Sequence, residues 1–131
     1  MPVTLTSGNF SLTLELHVLE NHPSHPVNSV LHVNVASGGF AGAACLDIDA
    51  EDFAAFCDAL ASLYEQLGGE AVISEPYGRN RYLAFRGDGR GHISVSGMLC
   101  DLTHTLEFEN EIDQTALGRF QKELRGQLKK G

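Results

Sequence analysis

The sequence predicts an α+β fold: antiparallel sheets of about eight strands with two amphipathic helices, readable as a tandem arrangement of four strands plus a helix. Three observations predict it. Apolar and polar residues alternate through much of the first 48 positions, as half-buried antiparallel strands require. At Asp49 the period lengthens to that of a helix, and after Asp113 it does so again. Between these points, short alternating runs are split by glycine, proline and aspartate, the residues that turn a chain. The length of 131 residues suits one domain, 1–131, and a hydrophobic content of 43% is enough for a core without metal or disulfide support.

In chain order, Phe10, Leu12, Leu14, Leu16 and Val18 share one strand face, while Ser11, Thr13, Glu15 and His17 share the other. The segment Asn21-His22-Pro23-Ser24-His25-Pro26 breaks this strand, because its prolines remove backbone donors. A second strand follows with Leu31, Val33 and Val35 inward, pairing with the first as a hairpin. Gly38-Gly39 turn the chain into a Gly/Ala-rich strand over about 40–48. A helix near 50–67 follows, with Phe53, Phe56, Cys57, Leu60, Tyr64 and Leu67 as its apolar stripe, Asp49 as N-cap and Gly68-Gly69 as its stop. Strands then recur near 71–74, 81–85, 92–99 and 105–112, divided by Pro76-Tyr77-Gly78 and Gly87-Asp88-Gly89. The last helix, near 114–129, presents Leu117, Phe120, Leu124 and Leu128 on one face. Asp113 is expected to accept the amide of residue 115 or 116, and Lys129 and Lys130 suit the negative end of the helix dipole.

The two halves match at a shift of 64 residues: Ile48, Asp49, Phe53, Phe56, Leu60 and Tyr64 fall on Ile112, Asp113, Leu117, Phe120, Leu124 and Leu128. Duplication and convergence both account for this match.

Charge is distributed unevenly along the chain. Residues 1–78 hold ten acids and no Lys or Arg, whereas residues 79–131 hold nine bases against seven acids, giving the overall net charge of −8. Nucleic-acid binding depends on phosphate neutralisation by Lys and Arg, so this balance argues against a nucleic-acid partner. A basic protein partner and simple solubility both fit it. No apolar run is long enough to span a bilayer, and Met1-Pro2-Val3-Thr4 lacks the pattern of a signal peptide, so a soluble cytoplasmic protein without membrane association is expected. Cys45, Cys57 and Cys100 have no paired spacing and read as free thiols.

Catalytic chemistry finds little support. Asp47-Ile48-Asp49-Ala50-Glu51-Asp52 resembles the start of a calcium loop, but the position that needs glycine is Asp52, and the helical stripe already begins at Phe53. His22 and His25 lack further ligands, and His17 and His32 read as surface histidines on pairing strands, so no metal is expected. There is no serine elbow, phosphate loop or dinucleotide fingerprint, and Gly87-Asp88-Gly89-Arg90-Gly91 reads as a hairpin turn. No catalytic residue and no cofactor are therefore assigned.

The candidate partner-binding residues are acids. Alternation in Leu106-Glu107-Phe108-Glu109-Asn110-Glu111-Ile112 sends Glu107, Glu109 and Glu111 outward about 7 Å apart, against a neighbouring strand offering only His92, Ser94, Ser96 and Met98. A basic partner would relieve this repulsion, and so would salt, which screens over roughly 8 to 10 Å. A second acidic stripe, Glu51, Asp58 and Glu65, runs down the exposed side of the first helix.

Gly91-His92-Ile93-Ser94-Val95, Leu106-Glu107-Phe108 and Ile112-Asp113-Gln114-Thr115-Ala116-Leu117, together with the helix from Asp52-Phe53 to Leu63-Tyr64 and its following Gly-Glu strand, resemble the WapI-type immunity proteins and related uncharacterised bacterial families. The likeness spans about residues 45–125. It implies an intracellular antidote that binds and blocks the toxic domain of a polymorphic or contact-dependent toxin, often a nuclease, and it brings no catalytic residue with it. Two other readings stand beside it. One is a small-ligand binder or enzyme using His17, His32 and nearby carboxylates in a sheet-lined cleft, and the other is a homodimeric accessory scaffold. The sequence sets no oligomeric state.

Overall fold

The computed structural model describes residues 2–18, 29–75, 81–101 and 103–127. The prolines at 23 and 26, His22, His25, the Pro76-Tyr77-Gly78 turn, Leu128, Lys129 and Lys130 lie outside the described residues. Each half lays down four strands in succession, every one antiparallel to the strand before it, and ends in a helix. The elements are β1 (Val3–Ser7), β2 (Phe10–Val18), β3 (Ser29–Ser37), β4 (Phe40–Ile48), α1 (Ala50–Gln66), β5 (Gly68–Ser74), β6 (Tyr82–Asp88), β7 (His92–Asp101), β8 (His104–Asp113) and α2 (Gln114–Gly126). They form two four-stranded sheets, β1-β2-β3-β4 and β5-β6-β7-β8, so the expected arrangement of four strands plus a helix, twice over, is what the chain adopts.

Alternation decides which side of each strand is buried. Leu12 pairs with Val35 and Leu14 with Val33, all four inward, while Thr13 pairs with the exposed Asn34 on the other face. The sequence reading starts its strands at Phe10. The structure adds β1, whose five residues alternate Val3 and Leu5 inward with Thr4 and Thr6 outward.

α1 begins where Asp49, in extended conformation, accepts the Glu51 N–H at 3.0 Å, as its N-cap role requires. Its stop differs from expectation. The left-handed residue is Leu67 (φ 61°), not a glycine, and Gly68 already opens β5. Leu67 adopts this conformation because both of its backbone groups are satisfied there: its N–H reaches Leu63 O at 2.8 Å and its carbonyl accepts Gly89 N–H at 2.8 Å. Gly87 permits that approach, since a Cβ on it would collide with the Leu67 carbonyl oxygen. Leu67 thus leaves the helical stripe, and Leu63 takes its place in the core beside Phe53, Phe56, Cys57 and Leu60. α2 differs at its start. Asp113 sits at the N-cap with extended backbone, but its side chain makes no capping hydrogen bond.

Helices and sheets share one hydrophobic cluster. At its centre Phe85 of β6 meets Phe56 of α1 edge-on at 5.9 Å and stacks with Phe120 of α2 at 6.1 Å. Phe10 of β2 and Phe108 of β8 join the two sheets at 6.0 Å. The helices approach each other closely because position 118 is glycine, where a Cβ would stand 2.9 Å from the Tyr64 ring.

Two polar devices finish the edges of the first sheet. β2 runs past the end of β1, and there the Gln127 side chain accepts the Leu16 N–H at 2.6 Å and donates to Leu14 O at 3.2 Å, standing in for a missing strand. On β4, at the other edge, Asp47 N–H donates to Glu75 Oε2 at 2.9 Å while Cys45 O accepts from Arg81 Nη1 at 2.7 Å. Glu75 and Arg81 are themselves paired at 2.6 Å, with side chains only 4% and 15% exposed, and Arg81 Nη1 also reaches Cys100 O on β7 at 3.4 Å.

Two stability outcomes follow. Phe56→Ala removes a ring held against Phe85 and should cost about 3 to 5 kcal/mol by cavity formation in chemical denaturation. Arg81→Met leaves the Glu75 carboxylate buried without its ion partner and should cost about 3 to 5 kcal/mol, although both residues lie outside the hydrophobic cluster.

Candidate functional site

The outer face of the second sheet carries the acid ladder. In β8, Phe108 and Ile112 point into the core, and this fixes Glu107, Glu109 and Glu111 as exposed on the opposite face. Their register neighbours on β7 are Met98, Ser96 and Ser94, three of the four residues expected from the sequence, while the fourth, His92, lies opposite Asp113. Ser94 Oγ donates to Glu109 Oε2 at 3.5 Å. No Lys or Arg pairs with any of the three among the described residues.

The helix stripe behaves differently. Glu51, Asp58 and Glu65 are all exposed on α1, but Asp58 accepts a 2.6 Å bond from Arg125 Nη2 of α2. Charges of the two halves meet in space. Although the first 78 residues carry no base, arginines from the second half pair in space with acids of the first: Arg125 with Asp58, Arg86 with Glu70 at 2.9 Å, and Arg81 with Glu75. The register that sets Arg86 opposite Glu70, and the packing of α2 on α1, bring together charges that lie far apart in sequence. The ladder on β8 keeps its charge, whereas the helix stripe is partly neutralised.

A second group lies on the outer face of the first sheet. The register sets Glu15, His32 and Cys45 side by side on β2, β3 and β4. His17 Nε2 is 3.4 Å from Glu15 Oε1, the His17 and His32 rings meet edge-on at 4.6 Å, and Cys45 Sγ lies 3.4 Å from His32 Nδ1. A cavity of about 360 Å³ adjoins the group, lined by His32, Asn34, Cys45, Arg81, Cys100 and Asp101 among others. The sequence reading foresaw the two histidines but not Cys45, whose approach depends on the β3–β4 register. Burial, reinforced by Asp47 and Asp101 and opposed by Arg81, raises the Cys45 pKa, so the neighbouring imidazole meets a thiol and not an activated thiolate. Among the described residues no group of three or more His, Cys, Asp or Glu could hold a metal ion.

A cavity of about 510 Å³ opens where α2 begins, lined by Arg90, His92, Glu111, Asp113 and Gln114 among others. Gln114 Oε1 is buried there without a hydrogen-bond partner. The glycine-rich turn beside it is organised by Asp88, whose Oδ1 accepts Arg90 N–H at 2.7 Å and His92 N–H at 3.2 Å. The Arg90 bond in particular holds the Asp88 pKa below its ordinary value. At the β3–β4 hairpin, Phe40 is 73% exposed, which no pattern in the sequence indicated. No described helix is long and apolar enough to cross a membrane.

The buried Cys57 yields a pH prediction. Burial, only partly opposed by Arg125, pushes its thiol from an ordinary 9.0 up to about 12. A raised folded-state pKa stabilises the fold below the unfolded pKa and loses that share as pH climbs from about 9 towards 12. The stability gap between the native chain and Cys57→Ala should accordingly narrow across that range in urea titrations. At pH 8 a thiol-specific reagent should label the half-buried Cys45 and Cys100 before Cys57.

Two solved structures share this fold. A chain from the crystal structures of Trypanosoma bruciei MRP1/MRP2 superposes with a TM-score of 0.54 at 14% identity, covering 98% of this chain and 84% of that one. The plant transcriptional regulator PBF-2 gives 0.52 at 8% identity, covering 98% and 80%. At such identities the likeness is one of fold alone. Among curated proteins none matches the chain. The model of the WapI-like immunity proteins, by contrast, matches residues 4–130, and the chain belongs to that family.

Proposed function

We propose that this chain is a cytoplasmic antidote that binds the toxic domain of a cognate bacterial toxin and blocks it through an acidic surface, without catalysis of its own. The toxin surface it suits is basic, as the active site of a nuclease is, and neither nucleic acid nor membrane is its partner. Family membership supports the immunity role. The observation that carries the choice of surface is the ladder of Glu107, Glu109 and Glu111, three outward carboxylates with no Lys or Arg paired to them among the described residues. Such a face speeds encounter with a cationic surface by steering, and carboxylates that become desolvated against cations couple by about 1.5 to 7 kcal/mol each. Glu51, Asp58 and Glu65 form the lesser candidate, because Arg125 already engages Asp58.

The test is co-expression with the variable C-terminal domain of a large secreted protein encoded beside this chain. Reversing Glu107, Glu109 and Glu111 to Lys should abolish protection of the cells and remove most of the salt dependence of association. Reversing Glu51, Asp58 and Glu65 should do less. Full protection and an unchanged, salt-independent rate with both trios reversed would leave the charge as a solubility device.

A second reading, a small-ligand binder or enzyme, rests on the Glu15, His17, His32 and Cys45 group beside its cavity. His17→Ala combined with His32→Ala separates the two: protection survives the double substitution if the chain acts as an inhibitor.

A further inference from the structure

The four strand edges of the two sheets are not equivalent. On β4, Glu75 and Arg81 occupy the outward N–H of Asp47 and carbonyl of Cys45, and beyond β1 the Gln127 amide does the same for Leu16 and Leu14. These side chains mimic an added strand, since a carbonyl and the N–H two residues on are what one edge of an antiparallel strand presents. β1 packs against α2, and α1 runs alongside β5. β8 differs. Its ten residues pair with β7 alone, and among the described residues no other backbone hydrogen bond reaches positions 104–112. It meets the first sheet through inward side chains, Phe108 against Phe10 and Asn110 against Ser37, the last pair exchanging bonds of 2.6 and 2.8 Å.

We infer that the free edge of β8 is the docking strand, and that it accepts from the toxin an extended segment with Lys or Arg at alternate positions. The inference rests on the inhibitor reading for the identity of the occupant, while its chemistry comes from the edge itself. An open edge binds another strand through its main chain, and side chains at alternate positions choose which strand. Here those side chains are Glu107, Glu109 and Glu111, about 7 Å apart, a spacing that any added strand reproduces. A second copy of β8 is a poor occupant, because antiparallel self-pairing centred on Glu109 sets glutamate opposite glutamate. A strand with alternating cations reverses the sign of each contact. Phe40, the register partner of Ser37, is carried beside β8 by the Ser37–Asn110 bonds and offers the incoming chain an exposed aromatic surface.

The test uses the full chain and three ten-residue peptides: one alternating Lys and Thr, one of the same composition with its five Lys contiguous, and one alternating but with its two central residues replaced by Pro. The alternating peptide should slow amide exchange at least tenfold in the outward-facing half of residues 104–112, leaving 3–7 and 40–48 unchanged. The contiguous and Pro-containing peptides should bind at least tenfold more weakly, as should the alternating peptide to E107K/E109K/E111K and, as a milder variant, to E107Q/E109Q/E111Q. Equal binding of all three peptides, or protection at another edge, overturns the inference. So does self-association that protects β8 without peptide. With the toxin domain itself, a stable complex that leaves β8 amides unprotected also overturns it while the inhibitor reading stands. Absence of both complex and cell protection defeats that reading instead, and the peptide result still decides the edge.

Discussion

One buried ion pair bridges the two sheets at the edge of β4. Glu75 and Arg81 flank the connection between β5 and β6, and together they reach the backbone of β4 at Cys45 and Asp47 and that of β7 at Cys100. Burial of two charges is unfavourable unless nearly every lone pair and proton finds a partner. Here the carboxylate accepts from one guanidinium N–H and one backbone amide, and the guanidinium donates to two carbonyls besides. These bonds are directional and join strands of different sheets, so they fix an angle that apolar packing between Phe10 and Phe108 would leave looser. The same bonds occupy the outer edge of β4 at Cys45 and Asp47, where an added strand would otherwise pair.

That closure gives the acids of β8 their meaning. Charge on an edge strand ordinarily discourages aggregation, and the ladder on β8 serves that purpose whatever else it does. A protein needing only protection can cover an edge, and this chain does so with Gln127 and with the Glu75–Arg81 pair. On β8 it leaves three outward carboxylates, whose mutual repulsion disfavours pairing with a second copy of that strand.

Local periodicity made the fold legible. The 64-residue correspondence was visible because Ile48 and Ile112 are buried where their strands lead into a helix, Asp49 and Asp113 occupy N-cap positions, and Phe56 and Phe120 both pack on Phe85. What escaped was set by tertiary contact. β1 is too short to stand out by alternation, and Leu67 takes a left-handed conformation because Gly87 and Gly89 lie against it. Asp113 looks like Asp49 in sequence, yet it makes no capping bond. The exposure of the acid ladder could be read from period two alone, since Phe108 and Ile112 fix the inward face. Its freedom from cations could not, because pairing between Asp58 and Arg125 spans residues that no local pattern connects.

Linear counting by halves thus misses how the charges meet in space. Ten acids without a base in residues 1–78 suggest one strongly negative half, whereas in space three of them are held by arginines at 81, 86 and 125. Each of these arginines is placed by structure: beside a buried carboxylate, opposite a cross-strand neighbour, or between packed helices. None is paired with an acid of β8, although Arg86 and Glu111 are both register partners of Ser94 and Arg86 lines one surface cavity with Glu107 and Glu109. Arg86 turns instead to Glu70 on the other side of its strand. With one strand lying between Arg86 and Glu111, solvent at the surface weakens what attraction is left. The unrelieved carboxylates consequently gather on consecutive outward positions of one open strand. Solubility alone asks only for net charge, which scattered acids supply without concentrating repulsion. Regular spacing on a rigid, unpaired edge is the feature that a complementary strand can use.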